Sequence, residues 1–146
     1  MGAVTASPRR TSRRVVGAVL LDTTVVIDLL RGHPDARRRL RALRDAGDDA
    51  YVCAVNVEET ARGLFPREHE PARRLFAGLG MASLGLAEGW QAGEWRRQFA
   101  ARGRTPAQAD CLVAAAAHAI GGRLATGNPK DFPMSDVAVE HWPAGA

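Results

Sequence analysis

The sequence predicts an α/β fold, with one domain built on a parallel sheet of four or five strands and helices on both faces. The chain has 146 residues, about the length of one domain, and 46% of them are hydrophobic. Continuous apolar runs, typical of strands buried on both faces, alternate along the chain with segments of helical periodicity. Such alternation indicates a parallel sheet covered by helices. No internal repeat and no second domain are evident.

The first half of the chain supplies two predicted strands and four predicted helices. The apolar runs 15–22 and 50–55 have the composition of buried strands. Helical periodicity is found over 25–30, 34–46, 57–64 and 68–79. Thr23 and Thr24 are predicted to cap the first of these helices and Asn56 the third, because short polar side chains accept hydrogen bonds from the free N–H groups of a first turn.

The second half adds two helices and three strands, and it contains the clearest helix start. Residues 105–108 are Thr-Pro-Ala-Gln, a capping box with proline at the first helical position. The helix that follows, to about residue 120, is apolar on nearly every side, so we predict that it is buried. Trp90, Trp95 and Phe99 lie at helical spacing and are interpreted as core or partner interface. The other predicted elements are a helix over 87–102 and strands over 81–84, 123–126 and 137–140.

The chain is basic, with 20 Lys and Arg residues against 16 Asp and Glu and a net charge of +4. Lys130 is the only lysine, so guanidinium groups, which bind phosphate through two hydrogen bonds and stack on bases, carry nearly all of the positive charge. A small basic domain is a candidate nucleic-acid binder. Residues 1–14 are polar and aperiodic, and we predict a disordered basic tail there. Residues 15–142 form the predicted domain and 143–146 a short C-terminal tail.

The cysteine content points to a reducing compartment. Cys53 and Cys111 are the only cysteines and form no CxxC pair, so the sequence predicts neither a zinc site nor a disulfide framework. We therefore expect a cytoplasmic protein. The apolar runs are much shorter than the roughly 20 residues that cross a bilayer, so no membrane association is expected.

Two acidic residues stand at the ends of predicted strands. Asp22 closes the first apolar run, and Asp131 follows the strand over 123–126 after a Gly-Asn-Pro turn. The carboxyl ends of parallel strands line the ligand crevice of such sheets, so both side chains are candidates for a common site. The alternatives are structural, with Asp22 as a helix cap and Asp131 as an ordinary turn aspartate.

Two further acids lie on predicted helices. Asp110 has core-like neighbours, and an acid in that position either pairs with an arginine or binds a cation. Arg102 and Arg104 are near enough in sequence to be its partner. Glu59 stands three residues after Asn56, so these two residues also fit a capping box. Each acid by itself is therefore compatible with a structural role.

Together, the four acids can face one crevice, which has chemical consequences. Clustered carboxylates repel one another and raise each other's pKa. A hard divalent cation removes that repulsion, and Mg²⁺ prefers oxygen ligands, keeps several waters and completes its shell with substrate phosphate. Such a site can deprotonate a water and neutralise the charge that develops on a phosphodiester.

Four segments, in this order and spacing, resemble the PIN-domain ribonucleases and, within them, the VapC-type toxins of bacterial toxin–antitoxin pairs. The segments are LLDTTVVIDLLRG (20–32), CAVNVEETARGL (53–64), RTPAQADCLVAAAAHAIGG (104–122) and LATGNPKDF (124–132). The resemblance runs from about Val19 to Trp142. The combination of all four segments is specific, and it implies a single PIN-like nuclease domain.

The resemblance implies roles for the four acids. The first acid of the family matches Asp22, its helical glutamate matches Glu59, and its third acid matches Asp110. The fourth acidic position matches Asp131, where members of the family vary. On this basis, Asp22 and Asp110 are expected to hold the metal, directly or through water. Glu59 and Asp131 are expected to complete the acidic cluster and orient the attacking water.

The resemblance also implies supporting residues, a cofactor and partners. Thr23, Thr126 and Asn128 match positions where the family often places polar groups that orient metal-bound water or phosphate. The implied activity is a Mg²⁺- or Mn²⁺-dependent endoribonuclease acting on single-stranded regions of RNA. The implied partners are a second copy of the chain and a cognate antitoxin. Asn56 departs from the family, where Thr or Ser is frequent, and this could alter the geometry around Glu59.

Two other functions fit the predicted fold. A non-catalytic PIN-like module could hold RNA or an antitoxin and bind metal weakly, although the complete set of four acids argues against it. A phosphatase with a nucleophilic aspartate would need a second acid two residues after Asp22, where this chain has Thr24.

Overall fold

A computed structural model describes residues 17–145 and contains one five-stranded sheet in which every strand pairing is parallel. The strands are β1 (Ala18–Leu21), β2 (Asp49–Cys53), β3 (Gly80–Ala82), β4 (Arg123–Thr126) and β5 (Val139–His141). Their order across the sheet is β3-β2-β1-β4-β5. The predicted α/β fold with a parallel sheet is therefore confirmed, with boundaries that differ by a few residues.

Six α-helices and two 3₁₀ turns connect the strands in the described part of the chain. They are α1 (Thr23–Leu30), α2 (Pro34–Asp45), α3 (Ala54–Arg62), α4 (His69–Ala77), α5 (Leu86–Ala100), α6 (Gln108–Ala119) and the 3₁₀ turns Pro66–Glu68 and Pro129–Asp131. Each predicted helix is present. The sequence missed the two 3₁₀ turns, because each is a single turn that begins at a proline.

The predicted caps of α1 and α3 are wrong. Asp22 occupies the N-cap position of α1 with extended backbone, so Thr23 and Thr24 are the first two residues of the helix. Helix α3 begins directly after β2, with Cys53 as its N-cap, so Asn56 is the third residue of the helix. The strand and the helix follow without a loop, which displaces the polar residue from the cap into the first turn.

The capping box predicted at residues 105–108 does not form either. Helix α6 begins at Gln108, and its N-cap, Ala107, has no side chain that could accept a hydrogen bond. Arg96 of α5 donates from Nε to the carbonyl of Pro106 at 3.0 Å and holds this segment as a loop. The tertiary contact therefore overrides the local capping pattern.

Two apolar clusters pack on opposite faces of the sheet. Val19 and Leu21 of β1 belong to the cluster under α1 and α2, whereas Leu20 belongs to the cluster under α5 and α6. This alternation is the period-2 pattern of a strand buried on both faces. Trp95 lies in the second core, but Trp90 is 71% exposed, so the core interpretation does not hold for Trp90.

The topology places a crevice beside β1. The chain passes from β1 to β2 on one side of the sheet and returns with β4 on the other side, so β1 and β4 flank the topological switch point. Ligands of open parallel sheets bind at the carboxyl ends of the strands at such a point. Asp22 directly follows β1, and Thr126 is the last residue of β4.

The two ends of the chain differ in what can be described. The predicted basic tail of residues 1–14 lies outside the described residues. Near the C-terminus, the Gly145 N–H donates to Oδ2 of the buried Asp28 at 2.9 Å. No helix within residues 17–145 is both long and apolar enough to span a bilayer.

Candidate active site

Asp22 is buried at the carboxyl end of β1 and is fixed from β4. Its Oδ2 accepts a hydrogen bond from the Thr126 hydroxyl at 2.7 Å. Thr126 is fully buried, and its Oγ1 also accepts from the Asn128 N–H at 3.0 Å. Burial raises the pKa of Asp22, and the Thr126 hydrogen bond opposes this change only in part. The structure therefore holds a carboxylate in an environment that disfavours its charge.

Glu59 reaches the same edge from the second turn of α3. Its Oε1 accepts a hydrogen bond from the Thr23 hydroxyl at 2.7 Å, which ties α3 to the start of α1. The capping-box alternative for Glu59 is wrong, because α3 begins at Ala54 and Asn56 takes the third helical position. The Glu59 carboxylate is therefore not used to cap α3 and is available to a ligand in the crevice.

Asp110 is the third residue of α6 and is half-buried. Burial raises its pKa to about 6, with further contributions from the negative charges of Asp131, Asp22 and Glu59. The arginine-partner alternative is also wrong: among residues 17–145 no ion pair involves Asp110. The charge of Asp110 is thus left without a cation.

The two arginines that the sequence offered to Asp110 are engaged elsewhere. The guanidinium of Arg104 donates to the carbonyl of Lys130. The guanidinium of Arg102 lies over the Phe99 ring, 5.2 Å from its centroid. Sequence proximity alone could not distinguish these arrangements from an ion pair.

Asp131 ends the 3₁₀ turn that follows β4, and it is partly buried. Its charge contributes to the raised pKa of both Asp22 and Asp110. The next residue, Phe132, is buried in the core and anchors the turn at this edge of the sheet.

The four predicted acids therefore lie in one electrostatic environment. Coulombic repulsion falls with distance, so the contributions of Glu59 and Asp131 to the raised pKa of Asp22 and Asp110 require these carboxylates to be near one another. Within residues 17–145, however, no three His, Cys, Asp or Glu side chains form a group that could hold a metal ion. The acids share a site without forming a closed cage.

The residues of this site fit a magnesium ion better than a metal that needs a complete protein cage. Mg²⁺ is usually bound through one or two carboxylates, with water and substrate phosphate supplying the other oxygens. Asp22 and Asp110 are two such carboxylates, and both have a raised pKa that a cation would reverse. A buried acid elsewhere in the fold, Asp48, is instead paired with Arg123 at 3.2 Å.

Two cavities flank Glu59 and extend the site. One, of about 480 Å³, is lined by Thr23, Arg31, Glu59 and Arg62 among others. The other, of about 340 Å³, lies between α3 and the start of α6 and is also lined by Glu59 and Arg62. Both arginines are exposed. Neither arginine was a predicted site residue, although Arg31 lies in the segment 20–32 and Arg62 in the segment 53–64 that carry the family resemblance.

The three predicted supporting residues differ in their roles. Thr23 and Thr126 each donate a hydrogen bond to a site carboxylate. The Asn128 side chain is exposed, and its contribution to the network is its backbone N–H. Asn56, which the sequence offered as a cap and as a departure from the family near Glu59, contacts Thr23 and is a further member of the site.

Comparison with solved structures finds similar folds. The chain is similar to FitAcB from Neisseria gonorrhoeae (28% identity, TM-score 0.69, 86% of this chain and 97% of that chain covered). DNA-bound VapBC from Salmonella typhimurium gives 18% identity and a TM-score of 0.75, with 87% and 99% covered. A toxin–antitoxin complex from Klebsiella pneumoniae gives 20% and 0.69, with 82% and 95% covered.

No curated protein sequence matches the chain. A family model does match: the PIN domain model covers residues 19–138, most of the chain and all four acids. The resemblance identified in the sequence is thereby confirmed, and the chain belongs to the PIN domain family.

Proposed function

We propose that this PIN-domain protein is a Mg²⁺- or Mn²⁺-dependent endoribonuclease that cleaves single-stranded regions of RNA. One observation carries the proposal. Asp22 and Asp110, which are far apart in the sequence, lie near the negative charges of Glu59 and Asp131 at the switch point of the sheet. Burial and these charges raise the pKa of both residues. Maintaining such repulsion costs stability, which is typical of a functional site.

In this proposal, Asp22 and Asp110 hold the ion, directly or through water. When bound, the ion lowers the pKa of a water and neutralises charge that develops on the phosphodiester. Thr126 orients Asp22 by its hydrogen bond. Thr23 holds Oε1 of Glu59, which leaves Oε2 to orient the attacking water. Asp131 completes the acidic cluster, and no covalent enzyme intermediate is needed.

The direct test is cleavage by the purified protein. We expect a labelled single-stranded RNA to be cut internally in Mg²⁺ or Mn²⁺ and to stay intact when a chelator is added. The same sequence annealed into a duplex is the matched substrate control. Failure to cleave any of a panel of single-stranded RNAs in either metal would contradict the proposal.

A non-catalytic module that holds RNA or an antitoxin is the second candidate, because within residues 17–145 the protein side chains form no metal site that is complete without water and substrate. Calorimetry separates the two functions. A nuclease requires the wild-type protein to bind Mn²⁺ or Mg²⁺ at millimolar concentration or below. No heat of binding at millimolar metal would favour the module.

We propose that the substrate strand crosses Glu59 and lies in the two flanking cavities, beside Arg31 and Arg62. Each arginine that contacts a phosphate releases counterions, so log K for a single strand falls with log salt by about 0.7 per contact. Arg31→Ala should weaken binding and reduce this slope by about that amount. Arg62→Ala should have a smaller effect in the same direction, because Arg62 is paired with Glu58 at 3.0 Å.

This prediction is measured by fluorescence anisotropy of a labelled RNA in chelator at several salt concentrations. Arg41→Ala is the matched control, since Arg41 is an exposed arginine on α2 that lines neither cavity. Equal slopes in wild type and all three variants would exclude the proposed strand path.

We further propose that the protein is the toxin of a toxin–antitoxin pair that acts in the cytoplasm, that it forms a homodimer and that a cognate antitoxin inhibits it. The similar Klebsiella pneumoniae structure, itself a toxin–antitoxin complex, supports an antitoxin partner, and two free buried cysteines agree with a reducing compartment. The product of the neighbouring reading frame should bind the protein and stop cleavage. Cleavage that continues at saturating amounts of that product would exclude it as the antitoxin.

A further inference from the structure

Asn56 is a buried polar side chain whose two ends make different hydrogen bonds. It lies in the first turn of α3 with no exposed surface. Its Oδ1 accepts from the Cys53 N–H at 2.8 Å. Its Nδ2 donates to the Thr23 hydroxyl oxygen at 3.2 Å. The amide therefore joins the backbone at the end of β2 to a residue that contacts Glu59.

The chemistry of these groups fixes the direction of the chain of hydrogen bonds. The Cys53 N–H can only donate, so the carbonyl end of Asn56 must face it and the NH₂ end must face Thr23. The Thr23 oxygen consequently accepts from Asn56, and its single proton is directed to Oε1 of Glu59, 2.7 Å away. With the amide reversed, two donors would meet at Cys53, and the Asn56 oxygen would compete for the Thr23 proton.

Such a relay has an energetic role for a long acidic side chain. Glu59 is only partly buried and lines two cavities, so its free rotamers would otherwise be numerous. A hydroxyl whose proton is committed to one acceptor restricts those rotamers without adding a cation to the site. Asn56 lines neither cavity, and within residues 17–145 the side-chain hydrogen bonds that link it to Glu59 pass through Thr23.

We propose that Asn56 is a positioning residue of the nuclease site, which acts through Thr23 to fix the Glu59 carboxylate. This inference rests on the proposed function for its catalytic consequence, but the ordering of Glu59 is a property of the metal-free protein. The same amide also satisfies a buried backbone N–H, so the experiment must separate positioning from simple support of the helix start.

The test is a double-mutant cycle with Asn56→Leu and Thr23→Val. Asn56→Leu removes both hydrogen bonds of the amide, whereas Thr23→Val removes only the hydroxyl. Partners that orient active-site groups typically contribute 10- to 100-fold, so each variant should lower kcat by about that factor with little change in KM. Both substitutions act on Glu59 through the Thr23 hydroxyl. The double variant should therefore have about the same kcat as the less active of the two single variants. Losses that multiply would overturn the proposal.

Side-chain order is the readout that does not depend on activity. In the metal-free protein, NMR relaxation of the Glu59 methylenes should report greater mobility in Asn56→Leu and in Thr23→Val than in wild type. Thr23→Ser, which keeps the hydroxyl, should restore order. Thr24→Val is the matched control, because the Thr24 hydroxyl oxygen accepts from the Gly127 N–H instead. Unchanged Glu59 mobility in Asn56→Leu would mean that the amide only supports the helix start.

The outcomes distinguish this proposal from the proposed function. If wild type cleaves no RNA but Glu59 order follows the relay, the positioning stands and the nuclease function fails. If wild type is active and neither kcat nor Glu59 order responds to Asn56→Leu, the function stands and the relay is wrong. Should Asn56→Leu not fold, Thr23→Val still decides: it should speed hydrogen exchange of the Asn56 side-chain amide about fivefold, and an unchanged rate would exclude the link.

Discussion

Asp22→Asn and Asp110→Asn should each reduce RNA cleavage by at least about 100-fold while the protein stays folded. Outer partners of metal ligands already contribute 10- to 100-fold, and these residues are the proposed ligands themselves. Asparagine has nearly the same shape as aspartate, and its Oδ1 can still accept the Thr126 hydrogen bond at position 22. The change therefore removes negative charge and leaves packing in place.

The measurement is the initial rate of cleavage at saturating RNA and metal, with circular dichroism and thermal unfolding to verify the fold. Asp136→Asn is the matched control, because Asp136 is an exposed turn aspartate with no bond to the site. Wild-type rates in the purified Asp22→Asn/Asp110→Asn double variant would refute the mechanism.

Asp110→Asn should also stabilise the metal-free protein at neutral pH. Burial and three neighbouring carboxylates raise the pKa of Asp110 from its ordinary value near 3.8 to about 6. Between these two values the folded protein keeps a proton that the unfolded chain has released. The free energy of unfolding therefore falls as pH rises through this window, and above pH 6 the ionised Asp110 is fully destabilising.

A difference of about two pKa units corresponds to about 3 kcal/mol. Asp110 is half exposed, so water screens much of this, and we expect Asp110→Asn to raise the free energy of unfolding at pH 7 by on the order of 1 kcal/mol. Most of the gain should be lost near pH 4, where the Asp110 carboxyl is protonated in the folded protein and partly protonated in the unfolded chain.

Metal should reverse the order of stability of the two proteins. A ligand at 100 times its Kd stabilises the folded state by about 2.7 kcal/mol, and only wild type keeps both proposed ligands. Denaturant titrations at pH 4 and pH 7, with chelator and with Mn²⁺, test both effects. An Asp110→Asn protein that is less stable than wild type at pH 7 in chelator would show that Asp110 is a structural residue.

Part of the candidate site could be predicted from local sequence patterns. The positions of Asp22 and Asp131 after strands follow from apolar runs and turn residues, because strand ends in a parallel sheet meet at one edge. Whether Asp110 has an arginine partner could not be inferred in the same way. Arginines close in sequence were available, and only the tertiary structure brings the loop between α5 and α6 to the Pro129–Asp131 turn, where Arg104 donates to the Lys130 carbonyl instead.

The helix starts show the same limit. Residues 105–108 form a good local capping pattern, and Asn56 is a good local cap, yet neither supplies the N-cap residue of a helix. Asn56 instead accepts from the Cys53 N–H from the third position of α3. The start of α6 is determined by the hydrogen bond from Arg96 to the carbonyl of Pro106. The start of α3 is determined by the position of β2, which ends at the residue before the helix. Propensities of about 1 kcal/mol are easily outweighed by such contacts.

The sequence by itself determined the fold class and the order of strands and helices, because periodicity and residue type are local properties. It also singled out the four acids as candidates, through their positions and the family resemblance. Only the tertiary structure decided which alternatives to reject for Glu59 and Asp110, that Arg31 and Arg62 border the site, and that Asn56 is linked to Glu59 through Thr23. Hydrogen bonds and repulsion act over a few ångströms between residues far apart in the chain, and that proximity exists only after the sheet has formed.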